Sequence, residues 1–209
     1  MGQADLDPIA GAVRPVLDER FAARERGLTD SRKAIRAAAN TIRHLHRGQF
    51  TEARSLVAES GRLLQSAQSA LVGHPDVLHA GFVNDAAKEY AEARLVLAVF
   101  EGAPLPTHQE LGIDAVPFLH GLGETVGECR RRLLDSLRAG NIEDAEALLA
   151  VMDDVVDLLA ALDYPDGMTA GLRRTTDVAR ALAERSRSDL TATVVQERLR
   201  ADLAKRLDI

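Results

Sequence analysis

The long hydrophobic patterns in this chain repeat with a helical period, and glycine or proline closes almost every one of them. No alternating apolar and polar run has both the length and the bounding turns of a strand. Composition agrees with that pattern: alanine occurs 34 times, aromatic residues make up 3% of the chain and tryptophan is absent. Alanine and leucine have the best intrinsic helix propensity, whereas sandwiches and barrels draw on aromatic residues that are scarce here. With 46% hydrophobic residues in 209, the chain has enough apolar material for a true core.

The punctuation predicts seven helices in one all-α bundle of long antiparallel helices. The first spans about Ile9 to Arg26. Asp30-Ser31 can cap a second that runs to Arg47 and is closed by Gly48. Thr51 caps the next, to about Val72, and another runs from Val77 to Glu101 before Gly102-Ala103-Pro104. Ala115 to Arg138 follows, ended by Gly140, and Asn141 caps a helix to about Leu162. The last segment runs from Thr169 toward Arg206. A single domain over residues 1–209 is expected, with flexible ends at 1–7 and 205–209. Gly48-Gln49-Phe50-Thr51-Glu52-Ala53 echoes Gly140-Asn141-Ile142-Glu143-Asp144-Ala145. No copy lies between them, so the echo predicts two similar helix-turn-helix corners and not a solenoid.

A net charge of −6 argues against a broadly basic nucleic-acid coat, but whole-chain charge says little about any one surface. No apolar run is long enough to span a bilayer, and Met1-Gly2-Gln3-Ala4-Asp5 lacks signal-peptide character. The lone Cys129 cannot form an internal disulfide. A cytoplasmic protein without a membrane partner is the expectation.

Two local features run against the average. Arg32, Arg36, Arg43 and Arg47 fall on one helical face, away from the apolar face of Ile35, Ala38, Ile42 and Leu45. Such a line suits successive phosphates; the alternative is a solvated face paired with neighbouring acids. In the Val77–Glu101 segment, Glu89 projects into the middle of the apolar stripe, with Asp85 and Glu92 on its edge. A carboxylate there must be paired, protonated or bound to a metal. Glu124 and Glu128 share a face of the following helix, near Gly121 and Gly127, and by periodicity alone that face is solvated. Should the two pairs converge, their oxygens would make a hard site for Mg²⁺ or Mn²⁺. No zinc, Walker, dinucleotide or serine-hydrolase pattern occurs.

At these carboxylates the chain resembles a known family. Glu89-Tyr90-Ala91-Glu92-Ala93 is similar to the Glu-Tyr-x-Glu-Ala segment of translin-associated factor X. The block from Val116 to Glu128 resembles that branch's Asp-Tyr-Leu-x-Gly-Val-x-Asp-x-x-Gly-Glu. Asp163-Tyr164-Pro165-Asp166, Gly171-Leu172-Arg173-Arg174 and Leu190-Thr191 look like the C-terminal part of prokaryotic translin-like proteins, and Arg32 to Ala53 like their basic helix and its turn.

The resemblance implies a translin-like bundle of seven helices that assembles into a homo-oligomer, typically an octamer, and binds RNA or single-stranded DNA. It also implies a Mg²⁺-dependent (or Mn²⁺-dependent) endoribonuclease site. Glu89, Glu92 and Glu124 would be catalytic metal ligands, with Glu128 a further ligand or the group that orients water. Arg32, Arg36, Arg43 and Arg47 would hold nucleic acid, with Arg173 and Arg174. Two positions depart from the branch: Glu124 stands where aspartate is usual, and Pro117-Phe118 replaces Asp-Tyr. The alternatives are a non-catalytic RNA- or DNA-binding oligomer and a helical protein-interaction scaffold. Few aromatics argue for backbone recognition over an open stacking platform.

Overall fold

The computed structural model describes residues 5–78 and 80–206, which are all-α. Six long helices carry the fold: α1 (Asp7–His46), α2 (Phe50–Ala70), α4 (Phe82–Glu101), α6 (Ala115–Arg138), α7 (Ile142–Ala161) and α9 (Leu172–Arg206). Three single turns complete it, α3 (Pro75–Leu78), α5 (His108–Leu111) and α8 (Asp166–Thr169). Among the described residues no helix is long and apolar enough to cross a membrane. The chain divides into two compact units, Met1–Tyr90 and Ala91–Ile209, and α4 runs unbroken through the division.

In the first unit α1 and α2 form an antiparallel hairpin. Ser60 Oγ donates to the Ala34 carbonyl at 2.9 Å and Ser66 Oγ to Asp30 Oδ2 at 2.8 Å, so contacts climb one helix as they descend the other. The buried positions of α2 and its end, Ala53, Val57, Ser60, Leu64, Ala67 and Leu71, repeat at alternating four- and three-residue intervals. That is the seam spacing of a coiled coil. Alanines 34, 37 and 38 face it from α1 and leave room for close approach.

The second unit packs α6, α7 and α9 against one another. The α9 seam has the same rhythm in Leu172, Thr176, Ala179, Ala183, Ser186 and Leu190. Arg130 ties α6 to α9 by donating to Ser186 Oγ at 2.9 Å and pairing with Asp189 at 2.9 Å. In this unit α4 buries Ala91, Glu92, Ala93, Leu95, Val96, Leu97 and Ala98, which covers most of its circumference.

The echoed corners are built alike. Gly48 and Gly140 take left-handed φ values of 72° and 77°. Gln49 N–H donates to the His44 carbonyl and Asn141 N–H to that of Ser136, both at 2.9 Å, which closes each helix in the Schellman manner.

Several boundaries differ from those expected. Helix α1 is continuous where Asp30-Ser31 was expected to start a new helix, because Asp30 turns to Ser66 and Ser31 is buried in the seam. Packing overrides the local capping preference there. Helix α2 starts at Phe50, with Gln49 and not Thr51 at the cap position. Asn141 occupies its expected cap position but makes no side-chain capping bond. The segment expected from Val77 to Glu101 is interrupted before Phe82, where Gly81 has a φ of 98°. The last helix starts at Leu172, after Ala170 and Gly171 turn with φ of 51° and 80°. Of the ends expected to flex, residues 1–4 and 207–209 lie outside the described residues.

Ser31 Oγ is buried and has no hydrogen-bond partner among the described residues. Ser31→Ala removes that penalty and favours the helix, so it should stabilise the protein by about 1–2 kcal/mol in urea unfolding. Gly140→Ala should cost about 1–2 kcal/mol in the same measurement, because alanine is strained in the left-handed region. A destabilised Ser31→Ala or a neutral Gly140→Ala would contradict these local accounts.

Candidate functional site

Helices α4 and α6 bring carboxylates together. Glu89 and Glu92 sit one turn apart on α4, and Glu124 projects from α6. One carboxylate oxygen from each lies within 4.8 Å of the others. Oxygens that share one small divalent ion are separated by roughly 3–4 Å, given metal–oxygen distances near 2.1 Å. Small side-chain rotations would therefore suffice for all three to share an ion.

Burial within the trio differs from the helical-wheel expectation. Glu92, expected at the edge of the stripe, is 8% exposed, whereas Glu89 is half-buried and pairs with Lys88 Nζ at 3.3 Å. The reason is that α4 is covered on nearly all sides in the second unit, so a stripe edge is as buried as its centre. Glu124 is partly exposed, as the solvated face read from periodicity implies, and it also lies beside the α4 carboxylates. Glu128 lies one turn further along α6 and is not a member of the trio.

A cleft of about 410 Å³ opens beside Glu92 and Glu124. Its walls include Gly123 and Gly127 from α6, and Arg174 and Val178 from α9. The two glycines have different tasks. A Cβ on Gly123 would collide with the Thr175 methyl, so this glycine allows α9 to approach. A Cβ on Gly127 would meet only Leu182, at 3.9 Å, so this glycine leaves space in the cleft. Gly121, expected to contribute to such an approach, is buried on α6 and is not part of the cleft wall.

His120, absent from the sequence-derived site, fixes the cleft's far wall. Its Nε2 lies 3.0 Å from the Thr169 carbonyl and its Nδ1 2.8 Å from Thr175 Oγ1. A carbonyl only accepts, so Nε2 carries the hydrogen, and in the neutral ring Nδ1 accepts from the threonine hydroxyl. The available signal was the His120–Glu124–Glu128 spacing, one helical turn at each step.

The basic residues occupy three places. Arg32, Arg36 and Arg43 are exposed on α1, and exposed Arg47 is its C-cap residue. None of the four belongs to an ion pair among the described residues; Arg43 donates to Asn40 Oδ1 at 2.8 Å. Pairing with neighbouring acids therefore does not explain this stripe. Arg174 lines the carboxylate cleft, whereas Arg173 lines a second cleft and stands 3.8 Å from Asp163. Cys129 is a core residue, as its position on the apolar face predicts. Burial and, secondarily, the nearby Glu128 charge push its thiol up to about 12, which rules it out as a nucleophile.

No family model matches the chain. It is 26% identical over 198 residues to the uncharacterized protein MJ0175 of Methanocaldococcus jannaschii, a match covering 92% of this chain and 86% of that protein. It is 31% identical to AfC3PO, solved in complex with duplex RNA. That match has a TM-score of 0.82 and covers 89% of this chain and 96% of the other. The structure of apo-NeC3PO matches with a TM-score of 0.74 at 19% identity, over 92% of this chain and 99% of that one. The latter likeness concerns the fold alone.

Gly123→Ala should destabilise the protein by about 1–3 kcal/mol through overpacking. Gly127→Ala should be neutral or stabilising by up to about 1 kcal/mol, because alanine is the better helix former. Thermal unfolding of both variants checks the assignment, and equal effects would refute it.

Proposed function

We propose, from the premise that the chain belongs to the translin family and resembles its translin-associated factor X branch, that it is an RNA-binding oligomer with metal-dependent endoribonuclease activity. The observation that carries this reading is the gathering of Glu89, Glu92 and Glu124 oxygens within 4.8 Å. The arginine-flanked cleft beside them gives a phosphate access.

The donor set suits the proposed cation. Three carboxylates offer hard oxygen ligands and, among the described residues, no histidine or thiolate joins them, which favours Mg²⁺ or Mn²⁺ over zinc. Glu89, Glu92 and Glu124 would hold the ion, which when bound supplies an activated water and stabilises charge on a phosphoryl group. Arg174 binds the phosphate next to the scissile bond with a charge-assisted contact. Glu128, one turn beyond Glu124, orients the attacking water. The stripe of Arg32, Arg36, Arg43 and Arg47, without an ion pair among the described residues, holds the strand's backbone elsewhere on the subunit. AfC3PO in complex with duplex RNA supports structured RNA as the substrate class.

Assembly is supported by uncovered apolar side chains. Leu6, Ile9, Val13 and Val16 follow seam spacing at the start of α1 and are all exposed, as are Val195, Leu199 and Leu203 on α9. Apolar stripes of this kind mark surfaces that another subunit covers. A homo-octamer is the assembly we propose. The lone buried Cys129 suits the reducing conditions of the cytoplasm.

The test is cleavage of labelled RNA with and without Mg²⁺. Wild type should cleave only with the metal, and Glu92→Gln should reduce the rate at least about 100-fold. Mn²⁺ at 100 times its Kd should stabilise wild type by about 2.7 kcal/mol and leave Glu92→Gln unmoved. Gly127→Leu should fold normally but cleave poorly because it fills the cleft. Metal-independent cleavage, or full activity in Glu92→Gln, would refute the site.

A second reading, binding without cleavage, is favoured by Glu124, whose side chain is one methylene longer than the aspartate usual in the branch. It predicts RNA affinity with no cleavage in any divalent metal. On either reading, reversing Arg36 and Arg43 to glutamate should reduce the log–log salt slope of RNA binding by roughly 2. An unchanged slope would favour the scaffold alternative.

A further inference from the structure

Beside the carboxylate cleft, the second unit carries another recess, which the proposed reaction does not use. It has a volume of about 220 Å³ and lies where the residues before α8 meet the first turns of α9. Tyr164 lines it and is 58% exposed, far more than Phe100 and Phe118, the other aromatics of this unit. The tyrosine is not on a loose tip: its backbone N–H donates to the Leu162 carbonyl at 3.1 Å. Thr169, also in the lining, is tied through its carbonyl to His120, one turn before Glu124.

The charges around the ring are mixed. Arg173 and Arg180 offer donors for an anionic group, and Asp163 and Asp177 offer acceptors. These charges already pair two by two, Arg173 at 3.8 Å from Asp163 and Arg180 at 3.4 Å from Asp177, and an arginine held by one carboxylate keeps further N–H donors for a phosphate. A nucleotide can use this lining: its base offers a flat π face to Tyr164, its phosphate accepts from an arginine's remaining N–H groups, and its amino or ribose hydroxyl hydrogens reach the aspartates' remaining acceptor sites. The neighbouring residues Arg173 and Arg174 divide between the two clefts, Arg173 here and Arg174 beside the carboxylates. About 100° apart on the helix, they can take phosphates of one strand that passes from one cleft to the other.

We propose that this recess is a nucleotide subsite in which Tyr164 stacks one unpaired base of the RNA strand held at the carboxylate cleft. The proposal rests on the RNA-binding reading above. It concerns a single ring, and so is compatible with recognition that is otherwise by backbone and charge. A strand end or bulge supplies the unpaired base.

The chain has two tyrosines and no tryptophan, so Tyr164 contributes a readable share of the intrinsic emission. The experiment titrates a short oligoadenylate into the full-length protein in EDTA, following tyrosine fluorescence, while the anisotropy of a labelled copy reports binding independently. Wild type should show quenching that saturates with binding, and Tyr164→Phe should bind within about two-fold of wild type without that quenching component, since phenylalanine still stacks. Tyr164→Ala should weaken binding by about ten-fold or more, and Arg173→Glu should abolish the quenching. Binding by anisotropy with no Tyr164-dependent quenching, and with Tyr164→Ala at wild-type affinity, would overturn the subsite and leave the RNA-binding reading standing. No binding by anisotropy in wild type would overturn both.

Discussion

The approach of the Glu89, Glu92 and Glu124 carboxylates, eased at Glu89 by Lys88 Nζ at 3.3 Å, is the constraint around which the site is organised. Like charges whose oxygens lie within 4.8 Å of one another repel, and neighbouring partners offset that repulsion only in part. Glu92 adds the cost of burial. A fold that holds them together needs rigid helices on either side. Helix α4 supplies one support by being covered on most of its circumference, and the seam of α6 with α7 and α9 supplies the other. A bound divalent cation would turn the repulsion into attraction, which is why the cluster and the proposed chemistry belong together.

Both hairpin corners and both seams follow from the same economy of side chains. Alanine, serine and threonine at seam positions allow close helix approach. The same closeness appears at Gly123, where α9 comes too near for any side chain. Gly127, one turn later, opens the cleft instead. Helical spacing thus converts one glycine into packing and the next into access. The net charge of −6 conceals local features of opposite sign: an acidic trio beside a cleft and an arginine stripe on α1 with no ion-pair partner among the described residues.

Periodicity makes the helices legible, and the Gly48 and Gly140 corners can be matched in the sequence itself, because a left-handed closing residue leaves a local signature. Asp30-Ser31 was misread as a helix start because its partners, Ser66 and the α2 seam, lie far along the chain. The depth of Glu92 was hidden for a related reason: a helical wheel assumes one buried face, and α4 is buried on more than one. His120 was illegible as a tether, since its partners Thr169 and Thr175 are 49 and 55 residues away. The pairing of Glu124 with the α4 acids came only from family resemblance, as periodicity placed it toward solvent.

The most direct measurement is a crystal structure of the protein soaked in Mn²⁺, read by anomalous scattering. The account predicts a manganese peak within about 2.2 Å of oxygens from Glu89, Glu92 and Glu124. A peak bound elsewhere, or carboxylates that diverge and leave the cleft without metal at saturating Mn²⁺, would contradict it.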